Sequence, residues 1–155
     1  MLELYMPLLA DLKFRQELMN DANTMSYNHA YGGTICFSES KWEYWYNYWI
    51  VNCENKRFYR YLFNKEQNEF VGEVAYHYDE SRNIFICDIV VLADHRNKGY
   101  GEIGLTLLCN SAKANGVKIL YDDIATDNPS VSLFIKNGFS IDYQNENVTM
   151  VKKVL

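Results

Sequence analysis

The run NIFICDIVVLA, residues 83–93, constrains the fold of this chain more than any other segment. It is apolar almost throughout, as a central strand covered on both faces of a sheet must be. The run therefore predicts a sheet with a packed layer on each side. Its one acidic residue, Asp88, stands out because a carboxylate in such a strand needs a partner or a function.

The segments before this strand predict an antiparallel meander that follows two helices. RFYRYLF and EFVGEVAYHYD have hairpin-like spacing and polar boundaries. Apolar spacing predicts a helix over about residues 8–20, after a short strand over 2–6, and residues 21–37 are expected to form a loop. SESKWEYWYNYWIVN predicts the second helix, capped by Ser40 or by Ser38, with an aromatic stripe that faces the core.

The segments after the strand predict alternating helices and strands. One helix ends at Gly116, and DNPSVSLFIKNGF predicts another that is capped by Asn128. The buried face of the first is expected to carry Ile103, Leu107, Leu108 and Ala112. VKILYDDIA and the stretches 139–143 and 147–154 predict strands. The order β-α-α-β-β-β-α-β-α-β-β predicts one α/β domain over residues 1–155, with a mixed sheet and about four helices.

The loop RNKGYG, residues 96–101, joins the apolar strand to the following helix and has the properties of an anion site. A helix that starts here directs unpaired N–H groups and the positive end of its dipole outward. Two glycines leave the backbone open, and Arg96 and Lys98 add positive charge. Taken alone, the same pattern also fits a strand-to-helix turn that binds nothing.

Charge and composition narrow the classes of partner. The 155 residues carry a net charge of -5, which argues against a nucleic-acid binder and favours a cationic partner such as an amine. The N-terminal segment is apolar but lacks the basic start of a signal peptide and the length of a membrane span. The four cysteines and three histidines have no metal-ligand spacing. We therefore expect a cytoplasmic protein with no metal, no membrane association and no nucleic-acid partner.

VLADHRNKGYG resembles motif A of the GNAT superfamily of acyl-CoA N-acyltransferases, in which R/Q-x-x-G-x-G/A follows a central strand. DNPSVSLFIKNGF is similar to the family's next segment, an Asn-capped helix that ends in Gly-Phe. One helix and one strand separate the two motifs, as they do in the family. The resemblance covers residues 70–143 in detail and implies a sheet that splays at the cofactor-binding strand.

The resemblance implies that acetyl-CoA is the co-substrate and assigns positions to it. The loop amides would bind its pyrophosphate, and the strand before the loop would pair with the pantetheine arm. The backbone N–H of Val91 would stabilise the oxyanion of the reacting thioester. The implied cofactor-binding positions are Val91, Leu92, Arg96, Asn97, Lys98, Gly99, Tyr100, Gly101, Asn128 and Phe134.

Phe134 departs from the family pattern. Many relatives carry a tyrosine there, whose hydroxyl protonates the departing thiolate, and a phenylalanine cannot do so. Tyr100, Tyr121 and Tyr143 are alternative donors that the sequence does not distinguish. The departure also keeps a second hypothesis open, in which the chain is a GNAT-fold module that binds acyl-CoA as a sensor or regulatory protein with little turnover.

An N-acetyltransferase also needs a base, because an alkylammonium ion must lose a proton before it attacks. Asp88 is the first candidate, by its similarity to an acidic position in the family's polyamine acetyltransferases. Glu73 is the second, and the Asp122–Asp123 pair is the third. Each has a structural alternative: Asp88 could pair with a buried arginine, and the others could face solvent.

The family builds its acceptor pocket partly from the first two helices and the loop between them. In this chain that region supplies Tyr27, His29, Tyr31 and Tyr44. With Asp122 they would form an aromatic and acidic pocket suited to a small cationic amine. The sequence therefore predicts direct acetyl transfer to a primary amine, by a protein that could also form the homodimer common in this family.

Overall fold

All seven predicted strands form in the computed structural model, which describes residues 1–155 apart from the side chains of residues 30 and 31. They are β1 (Leu2–Tyr5), β2 (Arg57–Asn64), β3 (Glu69–Asp79), β4 (Ile84–Val91), β5 (Ile119–Ala125), β6 (Ser140–Gln144) and β7 (Val148–Val154). Their order in one mixed sheet is β1-β2-β3-β4-β5-β7-β6. The apolar run predicted to be central, β4, lies in the middle of the sheet, where packed layers cover both of its apolar faces.

Four α-helices flank the sheet: α1 (Leu12–Asn20), α2 (Trp42–Tyr46), α3 (Tyr100–Ala114) and α4 (Ser130–Lys136). A single π-helical turn, Asn47–Val51, extends α2, and a short 3₁₀ turn that starts after Ser38 precedes it. The expected loop between α1 and α2 contains a 3₁₀ helix, Thr24–Tyr31, called here the connector helix. The predicted order of elements and the α/β class are confirmed.

The two faces of the sheet carry different layers. Leu105, Leu108 and Ala112 of α3 pack with Leu120 and Phe134 in the larger core. On the opposite face, Val90 of β4 packs with residues of α1, the connector helix and the Trp42–Trp45 side of α2. The aromatic stripe of α2 therefore faces the core, as predicted. Ile103 is exposed instead of buried, because the inward face of α3 runs through Gly104, Leu105, Leu108, Cys109 and Ala112.

A gap opens in the sheet between β4 and β5. These two strands run parallel, and their ladder comprises only the pairs Phe85–Leu120 and Ile86–Tyr121. Beyond Ile86 the strands separate, while β4 stays paired with β3 as far as Val91. The remaining five strand pairs are antiparallel, which gives the mixed, splayed sheet that was predicted. Within the described residues, no helix has the length and hydropathy needed to cross a bilayer.

Candidate active site

The last residues of β4 present free backbone groups to the gap. The N–H of Leu92 donates to the carbonyl of Val71 over 2.9 Å, and Val91 lies opposite Gly72. In an antiparallel ladder this makes Val91 part of a non-hydrogen-bonded pair, so its own N–H points away from β3. It therefore points toward the side from which β5 has separated. The geometry provides the amide that the sequence had assigned to the oxyanion.

Gly72 lets β3 and β4 approach closely at this point. A Cβ on Gly72 would lie 2.3 Å from the carbonyl oxygen of Val90 and 3.0 Å from the Cα of Val91. No side chain fits in that space, so any residue larger than glycine would push β4 away from its present position. Gly72 thus fixes the strand edge that faces the gap.

The loop after β4 forms an open backbone cradle at the start of α3. Gly99 precedes the helix in a left-handed conformation with φ of 81°, and Asn97 also has a positive φ of 64°. In the described part of the chain no side chain caps this helix end, so the first N–H groups of α3 remain available to a ligand. The site fits a pyrophosphate, because a helix N-terminus of this kind favours multiply charged anions.

The two glycines of the loop have different roles. The position of a Cβ on Gly99 is open, so its requirement is the backbone conformation. A Cβ on Gly101 would lie 3.1 Å from Cδ2 of Leu133 in α4. Gly101 therefore allows α3 and α4 to pack closely, in addition to lying on the wall of the ligand cleft. The sequence had assigned both glycines to anion approach alone.

The connector helix is tied to the end of β4 and to the loop through Thr24. The Ala93 N–H donates to Thr24 Oγ1 over 2.9 Å, and Arg96 Nη2 donates to the Thr24 carbonyl over 2.9 Å. Thr24 is fully buried at this junction. These bonds hold the Arg96 guanidinium beside the cradle and bring the next turn of the connector helix over the gap.

A cleft of about 580 Å³ runs from the cradle to the gap. Its walls come from the end of β4, the cradle, the connector helix and the start of α4. It is lined by Ser26, Tyr27, His29, Ile89, Val90, Val91, His95, Arg96, Asn97, Gly99, Tyr100, Gly101, Glu102, Asp127, Asn128, Pro129, Ser130 and Leu133. Asn128 closes one end, where its Oδ1 accepts from the Ser130 N–H over 2.9 Å and caps α4 as predicted.

Asp88 lies on the face of β4 that carries Val90, toward α1 and α2, and pairs across the ladder with Ala75. Its side chain is exposed to solvent beside the gap. The surrounding protein nevertheless raises its pKa to about 7, first by desolvation and then through the charge of Glu73. A carboxylate with this pKa can accept a proton near neutral pH.

Glu73 is buried beside Asp88 and is held by two partners. The Tyr59 hydroxyl donates to its carboxylate, and Arg15 Nε lies 3.6 Å from its Oε2. The Arg15 guanidinium stacks over Phe37 and Trp45, at 4.6 and 4.7 Å from the ring centroids. Neither Glu73 nor Asp88 is among the residues that line the cleft, and Glu73 acts on Asp88 through its charge.

Comparison with known proteins identifies the family. The family model for GNAT acetyltransferases, described as "Acetyltransferase (GNAT) family", matches residues 16–139. The chain belongs to this family. No curated protein matches it by sequence.

Solved structures of GNAT acetyltransferases share the fold over their whole length. A GNAT-family acetyltransferase from Streptococcus pneumoniae has 20% identity and a TM-score of 0.80, with 100% of both chains covered. Spermidine N-acetyltransferase from Vibrio cholerae, in complex with CoA and spermine, has 21% identity and a TM-score of 0.76, with 99% of this chain and 95% of that chain covered. A phosphinothricin acetyltransferase from Sinorhizobium meliloti, in complex with AcCoA, has 16% identity and a TM-score of 0.78, with 99% of this chain and 88% of that chain covered.

The structure of this GNAT protein brings most predicted cofactor positions to one cleft, and leaves three outside it. Val91, Asn128 and the loop residues Arg96, Asn97, Gly99, Tyr100 and Gly101 all lie on its walls. Leu92 packs beneath the connector helix, and Lys98 is exposed at the side of the loop. Phe134 is buried in the larger core, where it packs edge-on against Phe139.

The predicted acceptor residues are divided between two regions. Tyr27 and His29 lie on the cleft wall, and His29 Nε2 is 3.5 Å from Asp127 Oδ2 on the opposite wall. Tyr44 is exposed on the outer side of α2, where it stacks on Tyr48 in a separate surface depression. Asp122 is buried next to Cys87 on the α3 face of β5, and burial raises its pKa well above the usual range. The side chain of Tyr31 lies outside the described residues.

Sequence reasoning missed Arg15, the partner of Glu73. The signal was present, because Leu12, Arg15 and Met19 fall at helical spacing on one face, and the two apolar members are buried. An arginine on a buried face needs a counter-charge. The cleft residues Ile89 and Leu133 were missed for another reason, since an apolar residue gives no sign of lining a ligand site.

Proposed function

We propose that the protein is an acetyl-CoA-dependent N-acetyltransferase that transfers the acetyl group directly to a primary amine on a small cationic acceptor. One observation carries the proposal: a free β4 amide at Val91 and a carboxylate at Asp88 stand at the same gap in the sheet. Family membership supports the acetyl-transfer class. The CoA and AcCoA complexes of two structural neighbours support the choice of co-substrate.

Different parts of the chain would bind the co-substrate and accept the proton. The cradle at Gly99 and the Arg96 guanidinium would hold the pyrophosphate, and the free backbone edge of β4 would pair with the pantetheine arm. The thioester carbonyl would then lie within reach of the Val91 N–H, which would stabilise the negative charge that develops on its oxygen. Asp88 accepts the proton of the attacking ammonium group, directly or through water.

Direct transfer needs no cysteine nucleophile. Cys87 is buried on the face of β4 opposite Asp88, and burial raises the pKa of its thiol well above the usual range. A thiol in that environment is a poor nucleophile. The acceptor's positive charge is favoured by Asp88 and by the net charge of -5, whereas Asp123 on the neighbouring strand is already paired with Arg82 at 3.3 Å.

Thermal denaturation with acetyl-CoA, followed by a thiol-release assay, tests the proposal. At about 100 times its Kd, a ligand that binds only the folded state stabilises it by about 2.7 kcal/mol, which raises the melting temperature. The thiol-release assay would then use polyamines, aminoglycosides, amino acids and peptides as acceptors. No melting shift with acetyl-CoA would refute the proposal at the binding step.

A sensor without efficient turnover is the second candidate, and one observation favours it. Phe134 is buried and cannot protonate the leaving thiolate. A melting shift without thiol release from any amine would support this alternative. Thiol release above the hydrolytic background, together with the mass of an acetylated amine, would exclude it.

A further inference from the structure

The proposed transfer requires a proton donor for the leaving sulfur, and the family position does not supply one. Phe134 is 1% exposed and packs against Phe139, so neither its chemistry nor its location serves the thioester. The donor is then either solvent or another side chain on the wall of the cleft. Among the described residues that line the cleft, those with hydroxyl groups are Ser26, Tyr27, Tyr100 and Ser130, and of these only the tyrosines carry an acidic phenol.

The three tyrosines suggested by the sequence do not fit this role. The Tyr100 hydroxyl lies against Asn64 at the end of β2, from whose Nδ2 it accepts a hydrogen bond of 2.9 Å, and β3 and β4 separate β2 from the gap. Tyr121 lies opposite Ile86, where β4 and β5 are still paired and no gap exists. Tyr143 is on the edge strand β6, outside the residues that line the cleft.

Tyr27 has the location that those residues lack. In a 3₁₀ helix the side chains of residues three apart lie above one another, so Tyr27 leaves the connector helix on the same side as Thr24. Thr24 is fixed against Ala93 at the end of β4 by a hydrogen bond of 2.9 Å. Tyr27 is therefore directed onto the cleft beside Val91, and both residues line it.

On this placement, and resting on the proposed acetyltransferase function, we propose that Tyr27 is the proton donor to the leaving sulfur and replaces the hydroxyl that Phe134 lacks. The ammonium group first loses one proton, which leaves through Asp88 to solvent. The neutral amine nitrogen then bonds to the thioester carbonyl carbon, and its second proton passes to the Asp88 carboxylate. The carbon–sulfur bond breaks, and the sulfur takes the proton of the Tyr27 hydroxyl. The Asp88 carboxylic acid then returns a proton to Tyr27, directly or through water, so that both residues regain their starting states.

The electrostatic surroundings of Tyr27 support this cycle. Desolvation and then the charge of Asp88, with smaller effects of Glu73 and Asp122, raise the pKa of Tyr27 above the usual range. The hydroxyl therefore stays protonated at physiological pH. Because the raised pKa also makes it a weaker acid than a thiol, its proton transfer to sulfur must be coupled to the return of a proton from Asp88. A phenolate formed at this position would be a stronger base than the carboxylate of Asp88, so proton return from Asp88 to Tyr27 is favourable.

The test is Tyr27→Phe, assayed with acetyl-CoA and the amine that the wild type acetylates fastest. Loss of general acid catalysis predicts a fall in kcat of about 10²- to 10⁴-fold. The Kd for acetyl-CoA, measured by calorimetry, and the KM for the amine are expected to stay within about threefold of the wild type. Tyr143→Phe is the matched control, because it removes an exposed hydroxyl on β6, outside the residues that line the cleft.

The outcomes separate this inference from the function on which it rests. Wild-type and Tyr27→Phe proteins with equal kcat would overturn the donor role alone. A raised KM for the amine with unchanged kcat would also overturn it, because Tyr27 would then only bind the acceptor. A wild-type protein that releases no thiol from any amine would overturn the proposed function, and the donor role with it.

Discussion

Asp88→Asn is expected to increase stability at basic pH while it abolishes most of the turnover. The folded protein raises the pKa of Asp88 from 3.8 to about 7, so it binds this proton more tightly than the unfolded chain does. This stabilisation is fully present below about pH 3.8 and is lost progressively as the pH rises to about 7, above which the ionised carboxylate has its full destabilising effect. Asparagine resembles the protonated side chain and carries no charge.

The magnitude follows from the size of the pKa change. A rise of about three pH units corresponds to roughly 4 kcal/mol at 1.36 kcal/mol per unit. Since Asp88 is exposed to solvent, screening reduces the effect, and we expect a gain of about 1–2 kcal/mol for Asp88→Asn at pH 8. For a chain of this size the gain raises the melting temperature by about 2–8 °C.

Two measurements check this prediction. The melting temperatures of Asp88→Asn and wild type are expected to differ most at pH 8, less at pH 5, and to converge below about pH 4, and Asp142→Asn on β6 serves as the control. Turnover of the wild type should rise with pH and level off above about 7, and Asp88→Asn should lower it by about 100-fold or more. Equal stability of the two proteins at pH 8 would refute the argument that the protein environment perturbs this carboxylate.

Other substitutions test the backbone features of the site. Gly72→Ala would place a Cβ 2.3 Å from the Val90 carbonyl oxygen, so we expect a loss of about 1–3 kcal/mol in urea unfolding and weaker acetyl-CoA binding. Gly99→Ala and Gly116→Ala both place alanine at a positive φ, 81° and 88°, and should each cost about 1 kcal/mol, but only Gly99→Ala should weaken acetyl-CoA binding in calorimetry. Phe134→Tyr should lower the melting temperature without raising kcat, since its hydroxyl would be buried in an apolar core at a cost of about 1–3 kcal/mol; a higher kcat would contradict that placement.

Strands, helices and the anion loop were predictable because local patterns encode them. The apolar run of β4 required a central position, and two glycines beside Arg96 and Lys98 before a helical pattern indicated an anion loop. The face of α3 was less predictable. Ile103 fits the spacing of apolar residues in a helix as well as Leu105 does. The side of α3 that packs inward is instead the one where Gly104 approaches Leu62 and Ile89 too closely for a Cβ atom.

The sequence by itself determined the order of elements, the central strand with its single carboxylate, and the loop that forms the cradle, since neighbouring residues specify each of these. Only the tertiary structure decided where β4 and β5 separate, because no residue in either strand encodes the end of a ladder whose paired residues, such as Phe85 and Leu120, are 35 positions apart. It also decided that Tyr27 faces the cleft while Tyr44 faces solvent, and that Arg15 meets Glu73. These relations depend on how distant segments pack, and the chemistry at the gap depends on them.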